Sequence, residues 1–458
     1  MPIASINPAT GETIAEFAAH DDAQIEERIA SAASAYEALR STDFDTRASW
    51  MRTAADLLDA DVEKVAELIT LEMGKPLAQA RAEVHKSAKA MRFYAEHAKE
   101  FLAGAELPDP SVVGASRART TYQPLGVVLA VMPWNYPIWQ VVRFAAPALM
   151  AGNTGLLKHA SNVPQAALYL DTLFERGGFP TGSFRSLLIP AGRVEGVLRD
   201  RRVVAATLTG SEPAGRSVAA IAGSEVKHVV LELGGSDPFI VMPSADLDAA
   251  VATAVTARTA NNGQACINAK RFIVHRDVHD EFVEKFAAAL GALRLGDPLA
   301  DDTDLGPLAT ASGRDEVVGL VDDALAAGAE AVVGGRTPDG PGWFYPATLV
   351  AGITEQMRLY REEAFGPVAS VYRADDAADA LRIANDTTFG LSSAVWTQDP
   401  DEEDLFTRGL DAGAVFVNGM SISYPELPFG GVKDSGVGRE LSAEGIREFC
   451  NLKSIWKA

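Results

Sequence analysis

The rhythm of apolar and polar positions changes once along the chain, near residue 126. Before it, apolar residues recur at helical spacing. Asp21 and Asp22 are placed to cap a helix reaching about Leu39. Thr46 opens a second with Trp50, Leu57, Leu58, Val62, Val65 and Ile69 inward, and Gly74 and Pro76 stop it. A third amphipathic stretch runs from about Leu77 to Leu102. From Gly126 onward, short apolar runs alternate with helical patterns. VVLAVM precedes a helix from about Ile138, TGLLK one from Val163, SLLI a short one from Val194 and VVAATLTG one from Glu212, and HVVLELGG follows. Buried strands alternating with helices predict an α/β fold with a parallel sheet wound on both faces, where ligands bind at the carboxyl ends of the strands.

A second α/β series begins near Pro238. It runs through FIVM, a helix from Leu247, the segment around Cys266, RFIVH and a helix from Val278, and continues to AGAVFVNG. It predicts a second domain with its own doubly wound parallel sheet. RARTTYQPLG (residues 117–126) and the terminal GIREFCNLKSIWKA lie outside both series. A lone hairpin with a tail is marginal in water, so pairing with another subunit, and hence an oligomer, is expected.

Length and composition narrow this reading. A chain of 458 residues suits two or three domains with sizeable cores. Two distant cysteines supply no disulfide framework, and seven histidines without ligand spacing leave no expected metal site. A formal charge of -21 argues against nucleic acid and anionic membrane as partners. The start, MPIASINPATGETIAEF, lacks the pattern of a secretory signal. The longest uncharged run, Gln123 to Val142, carries Pro124, Pro133 and Pro137, which disfavours a membrane helix. A cytoplasmic location is expected.

Candidate chemistry centres on NNGQACINAKR (residues 261–271). Cys266 sits among amides and glycine, with Lys270 and Arg271 behind it. That is the electropositive, partly exposed setting expected of a nucleophile, the alternative being a buried thiol in a turn. Cys450, between Phe449 and Leu452 in its amphipathic tail, reads as packing. Asn135 follows the first strand of the wound sheet, where its amide could stabilise an oxyanion or only shape a turn. Glu232 ends another apolar run beside glycines, as a general base of raised pKa or as a salt-bridged acid. TLTGSEPAG sets Gly210 and Gly215 around a helix start able to meet a phosphate, and Lys158 directly follows a strand. Together these imply covalent catalysis on a carbonyl beside a nucleotide.

Assembled in order, PWNYP, GNTGLLKHAS, TGSEPAG, LELGG, NNGQAC, REEAFGPV and PFGGVKDSGVGRE resemble the aldehyde dehydrogenase superfamily over essentially the whole chain. LELGGSDPFIVMPSADLD, the KRF after the cysteine and SYPELPFGGVKDSG look closest to its bacterial NADP-linked succinate-semialdehyde dehydrogenases. The resemblance implies a dinucleotide-binding domain (1–104 and 126–231), a catalytic domain (232–424) and bridging oligomerisation segments (105–125 and 425–458) that join dimers or tetramers. It implies that Cys266 attacks the aldehyde, that Asn135 and the Cys266 backbone N–H hold the oxyanion, and that Glu232 activates the water that releases the acid. It assigns Trp134, Lys158, Ser161, Gly210, Ser211, Gly215, Leu233, Glu363 and Phe365 to the cofactor.

Two positions refine this expectation. Ser161 stands where NAD-linked members often carry a glutamate, which removes repulsion of a 2'-phosphate and predicts preference for NADP with NAD still possible. Arg143, inside the apolar WQVVRFAAPAL, lies where related enzymes bind a distal carboxylate. The alternative is pairing with a structural acid. Ala260 replaces a second arginine of some relatives, leaving Arg143 as anchor with Ser423 beside it. The expected substrate is succinic semialdehyde, with glutaric semialdehyde or an aliphatic aldehyde as alternatives. Competing readings are a coenzyme A-dependent acylating member, a catalytically retired binding protein of the same fold, and a cysteine hydrolase using His228. Ile267 and Asn268 follow Cys266, so the short vicinal disulfide of some relatives is not expected.

Overall fold

The computed structural model describes residues 3–458, so Met1 and Pro2, at the head of the range 1–104, lie outside the described residues. A helix spans Asp22–Leu39, and Asp21 and Gln24 form a reciprocal capping box at its start. The expected helix from Thr46 to Gly74 is two helices, Phe44–Ala60 and Val62–Met73. Asp43 is the cap, accepting from the Thr46 amide, and the break falls at Asp61, whose carboxylate is held by the Tyr169 hydroxyl and Arg176. Gly74 ends the second helix with φ of 80°, the left-handed conformation a glycine adopts without strain. The long helix Leu77–Phe101 follows.

The first sheet has the order Gly436–Val437, His228–Glu232, Val203–Thr209, Val127–Met132, Thr154–His159, Phe184–Ser186. It is parallel except for its first edge. The run SLLI was expected as a strand. The strand is Phe184–Ser186, and Leu187 to Ile189 continue beyond it as buried coil. Every residue of the helix Trp139–Ala151 is buried, between this sheet and the helices Phe44–Ala60 and Leu77–Phe101. A buried leucine or phenylalanine contributes about 1.5–3 kcal/mol, which makes this helix a chief source of the domain's stability.

The second sheet has the order Glu330–Val333, Thr348–Ala351, Val368–Ala374, Ala269–His275, Asp237–Val241, Ser393–Trp396, Val415–Val417. It too is parallel but for its first edge. Both doubly wound sheets match the pattern read from sequence. Only Leu233 to Ser236 separate the strand His228–Glu232 of the first sheet from Asp237–Val241 of the second. The carboxyl ends of the first sheet therefore run directly into the amino ends of the second.

RARTTYQP makes a short antiparallel hairpin contact with the segment before it, where Glu106 bridges Arg119, but its longer partner is the tail. Arg117–Pro124 pairs antiparallel with Cys450–Lys457, from Cys450 opposite Pro124 to Lys457 opposite Arg117. The segment 425–458 is accordingly split. Its last eight strand residues make this ribbon, whereas Gly436–Val437 extends the first sheet and Phe429 pairs with Glu440 beside Arg143. The physical reason is that the edge strand His228–Glu232 and the buried guanidinium both need partners that nothing earlier in the chain supplies. Cys450 packs partly buried against the main core, as expected of a structural thiol. Among the described residues, no helix is long and apolar enough to cross a membrane.

Candidate active site

The residues before Cys266 fold as they do because side-chain amides hold a backbone that few residues tolerate. Asn261, Asn262 and Gly263 all take positive φ, at 59°, 56° and 73°. Asparagine accepts this region better than most residues, and at Gly263 a Cβ would meet the Gly366 carbonyl carbon at 2.4 Å. Asn262 Nδ2 donates to the carbonyls of Gly74 and Pro307, and its Oδ1 accepts from the Gly306 amide. Asn261 Nδ2 donates to the carbonyls of Asn135 and Gln264, at 2.9 and 3.0 Å. Asn268 Oδ1 accepts from the Ala265 amide. These bonds fix the loop that presents the thiol.

Cys266 lines two cavities, one of about 610 Å³ and one of about 210 Å³. Its thiol is partly exposed but pushed up to about 12, because burial outweighs the nearby Arg143 and Lys270. The expectation of a setting that favours the thiolate is thus corrected. The cations are present, but Lys270 is spent on the Glu363 carboxylate (2.8 Å) and on the Ala265 and Cys266 carbonyls (3.0 and 2.7 Å). A base must take the thiol proton when the thiol reacts.

Asn135 stands in the turn after Val127–Met132. Its Nδ2 donates to the Gln264 carbonyl at 3.0 Å, which ties the amide to the cysteine loop. The turn is braced by His159, which burial pushes down to about 4 and so keeps neutral. Its Nδ1 accepts from the Ala160 amide, so its Nε2 donates to the Pro137 carbonyl at 2.9 Å. Asn135 lines the larger cavity together with Cys266. The Cys266 backbone N–H has no acceptor among the described residues. Two donors are therefore available beside the sulfur.

Glu232 ends its strand fully buried, and neither carboxylate oxygen accepts a hydrogen bond. Burial first, and the Glu440 carboxylate next, raise it well above its ordinary value, against Arg143 and Arg439. Its Oε1 lies against Gly430, where a Cβ would come within 2.8 Å. Its side chain lines neither cavity, so it stands behind the thiol pocket rather than in its wall.

Arg143 lines the smaller cavity, but its guanidinium is ion-paired with Glu440 and lies 4.5 Å from the Phe429 ring centroid. The alternative weighed from sequence, pairing with a structural acid, describes the structure. The acid was not identifiable among 62, because it is almost three hundred residues away. Ser423 lies in the same cavity, where its Oγ accepts from Lys86 Nζ at 2.8 Å and from Trp139 Nε1 at 3.2 Å. Lys86, Gln140 and Glu440 were not singled out from sequence. Each is an ordinary surface-type residue whose burial only the tertiary fold reveals.

Of the residues assigned to the cofactor, Trp134, Gly210, Ser211, Leu233, Glu363 and Phe365 line the larger cavity. Trp134 and Phe365 meet edge to face with centroids 5.7 Å apart. Gly215 acts by close approach, since a Cβ there would meet Leu233 Cδ2 at 2.5 Å. Lys158 and Ser161 lie at the end of Thr154–His159, outside the wall of that cavity. Lys158 is buried, burial lowers its pKa, and no carboxylate pairs with it among the described residues.

A model of the aldehyde dehydrogenase family matches residues 1–455. The chain is 62% identical over 458 residues, all of both chains, to succinate-semialdehyde dehydrogenase [NADP(+)] 1 of Mycobacterium tuberculosis. It is 62% identical over 457 residues, 100% of this chain and 97% of the relative, to succinate-semialdehyde dehydrogenase [NADP(+)] of Mycobacterium avium. Among solved structures, the succinic semialdehyde dehydrogenase of Streptococcus pyogenes in complex with NADP+ superposes with a TM-score of 0.96 at 36% identity, covering 99% of each chain. With its paired sheets, its thiol between two cavities and these likenesses, the chain belongs to the aldehyde dehydrogenase family.

Proposed function

We propose that the protein oxidises succinic semialdehyde to succinate with NADP. The observation that carries this reading is that Cys266 lines both cavities, so an aldehyde entering the smaller one meets the sulfur opposite a nucleotide in the larger. The NADP-dependent succinate-semialdehyde dehydrogenases that match along the whole chain support the substrate and the cofactor.

The residues fit a bound nucleotide. The first-turn amides of Glu212–Ser224 carry no side-chain cap from Ser211, Lys158 has no counter-ion among the described residues, and Ser161 places no carboxylate beside it. Trp134 and Phe365 frame the cavity near the thiol. Bound NADP would supply the acceptor for the hydride that leaves the substrate carbon. Cys266 sulfur adds to the aldehyde carbon as its proton is taken up. The oxyanion receives the Asn135 amide and the Cys266 backbone N–H. After oxidation the carbon is a thioester on Cys266. Glu232 removes a proton from water, the water oxygen bonds to that carbon, and the sulfur departs. Glu232 favours hydrolysis over transfer to coenzyme A.

Initial rates test this directly. NADP with succinic semialdehyde is expected to exceed NAD in kcat/KM, and no requirement for coenzyme A is expected. Ser161→Glu should lower the NADP-to-NAD ratio on the order of a hundredfold by setting a carboxylate against the 2'-phosphate. A ratio that does not move would remove Ser161 from cofactor selection. We further infer a cytoplasmic homodimer or homotetramer. The ribbon Arg117–Pro124 with Cys450–Lys457 exposes Leu452 and Trp456, an apolar edge suited to another subunit. Sedimentation should give two or four times 48.5 kDa, and a monomeric mass would refute it.

A further inference from the structure

Lys86 lies on Leu77–Phe101, and it lines the cavity of about 210 Å³ that Cys266 and Arg143 also line. Two acids of this region, Glu83 and Glu440, are already engaged. Glu83, one turn earlier, is ion-paired with Lys75, and its Oε1 accepts from the amides of Ile138 and Trp139 at 2.8 and 3.0 Å. Glu440 is ion-paired with Arg143. The two pairs cancel, which leaves the Lys86 ammonium as the cavity's net charge. It lies against the Trp139 ring, 4.4 Å to the centroid, and donates to the Ser423 hydroxyl at 2.8 Å.

A hydroxyl and a ring face are weak substitutes for a counter-ion at a half-buried cation. Burial, with Arg143 nearby, pushes the Lys86 ammonium down to about 8. The donor count is equally pointed. Ser423 Oγ accepts from both Lys86 and Trp139, so its lone pairs are taken and its own proton is left to give. Lys86 has two further N–H groups. Three donors around one positive charge match a carboxylate.

We propose that Lys86, with the Ser423 hydroxyl, binds the distal carboxylate of the aldehyde, and that Arg143, neutralised by Glu440, is secondary to it. This rests on reading the substrate as a carboxylated aldehyde. Lys86 makes no bond to the reacting carbon, so it sets specificity and leaves the chemical steps to Cys266 and Glu232.

The test is kcat/KM with NADP for succinic semialdehyde and for butyraldehyde, on wild type, Lys86→Met, Lys86→Gln and Lys86→Arg. In Lys86→Met the ratio of the two aldehydes is expected to fall on the order of 10- to 100-fold, mostly through KM for the carboxylated one. Lys86→Arg should keep most of the ratio. Lys86→Gln retains the stem and a donor, so it repeats the measurement should the methionine variant fold poorly. A wild-type preference that survives Lys86→Met and Lys86→Gln overturns the assignment alone. A wild type that turns over butyraldehyde as well as succinic semialdehyde overturns the substrate reading, and the assignment with it.

Discussion

Cys266→Ser is expected to abolish NADP reduction with every aldehyde, a loss of at least about a thousandfold, while the thermal unfolding midpoint stays close to wild type. A serine hydroxyl is isosteric with the thiol and preserves the loop, whose shape depends on Asn261, Asn262 and Asn268 rather than on the sulfur. As a nucleophile it fails because an alkoxide is far harder to form than a thiolate. That gap grows in a site where burial already pushes the thiol up to about 12. Retained activity in the serine variant would mean that the sulfur does not attack, and the covalent mechanism would fall.

Glu232→Gln should separate the two halves of the reaction. Oxidation would still load Cys266, but the thioester would wait for water without a base. Rapid mixing should then give a burst of at most one NADPH per subunit, followed by a steady rate lower by about a thousandfold. A linear trace with no burst, at normal steady rate, would take Glu232 out of deacylation. The pH dependence follows the same group. Because burial and Glu440 hold Glu232 well above 4.5, its base form fills only as pH rises through that elevated value, so wild-type activity should climb on the acid side and the climb should vanish in the glutamine variant. Stability has the opposite sign. A carboxyl raised in the folded state opposes folding as pH increases beyond its unfolded value, so Glu232→Gln should be no less stable than wild type at neutral pH.

Much of this was legible in the chain because the decisive signals are local. Short apolar runs against helical patterns gave both sheets, and strand-end positions gave Asn135, Lys158, Gly210 and Glu232. The rule that ligands gather at carboxyl ends of strands serves the first sheet only. In the second, Cys266 precedes Ala269–His275 and Phe365 precedes Val368–Ala374, so the site uses that sheet's amino ends. The four-residue link Leu233 to Ser236 explains this, since it turns one sheet's exit into the next sheet's entrance.

What stayed hidden were pairings across long stretches of chain. Nothing in WQVVRFAAPAL says that Arg143 meets Glu440, or that Lys86 rather than Arg143 is left without a carboxylate. A sequence records how many charges must be balanced, but only the packed fold decides which of them are. The second strand of the ribbon stayed hidden for the same reason. Beyond its short local bridge to Glu106, Arg117–Pro124 pairs along its whole length with Cys450–Lys457, beyond the reach of hairpin rules.

The placement of Glu440 bears on how the protein is made. A nascent chain complete through Ser423 already holds every strand of the second sheet and all but one of the first, yet its buried guanidinium lacks a counter-charge and the strand His228–Glu232 is an open edge. Burying an unpaired charge costs several kcal/mol, so the first domain is incomplete until Gly436–Val437 and Glu440 join it. The first domain and the active site therefore close together, once the second sheet is already complete. A chain cut before Gly436 would keep an exposed strand edge and a guanidinium without its carboxylate.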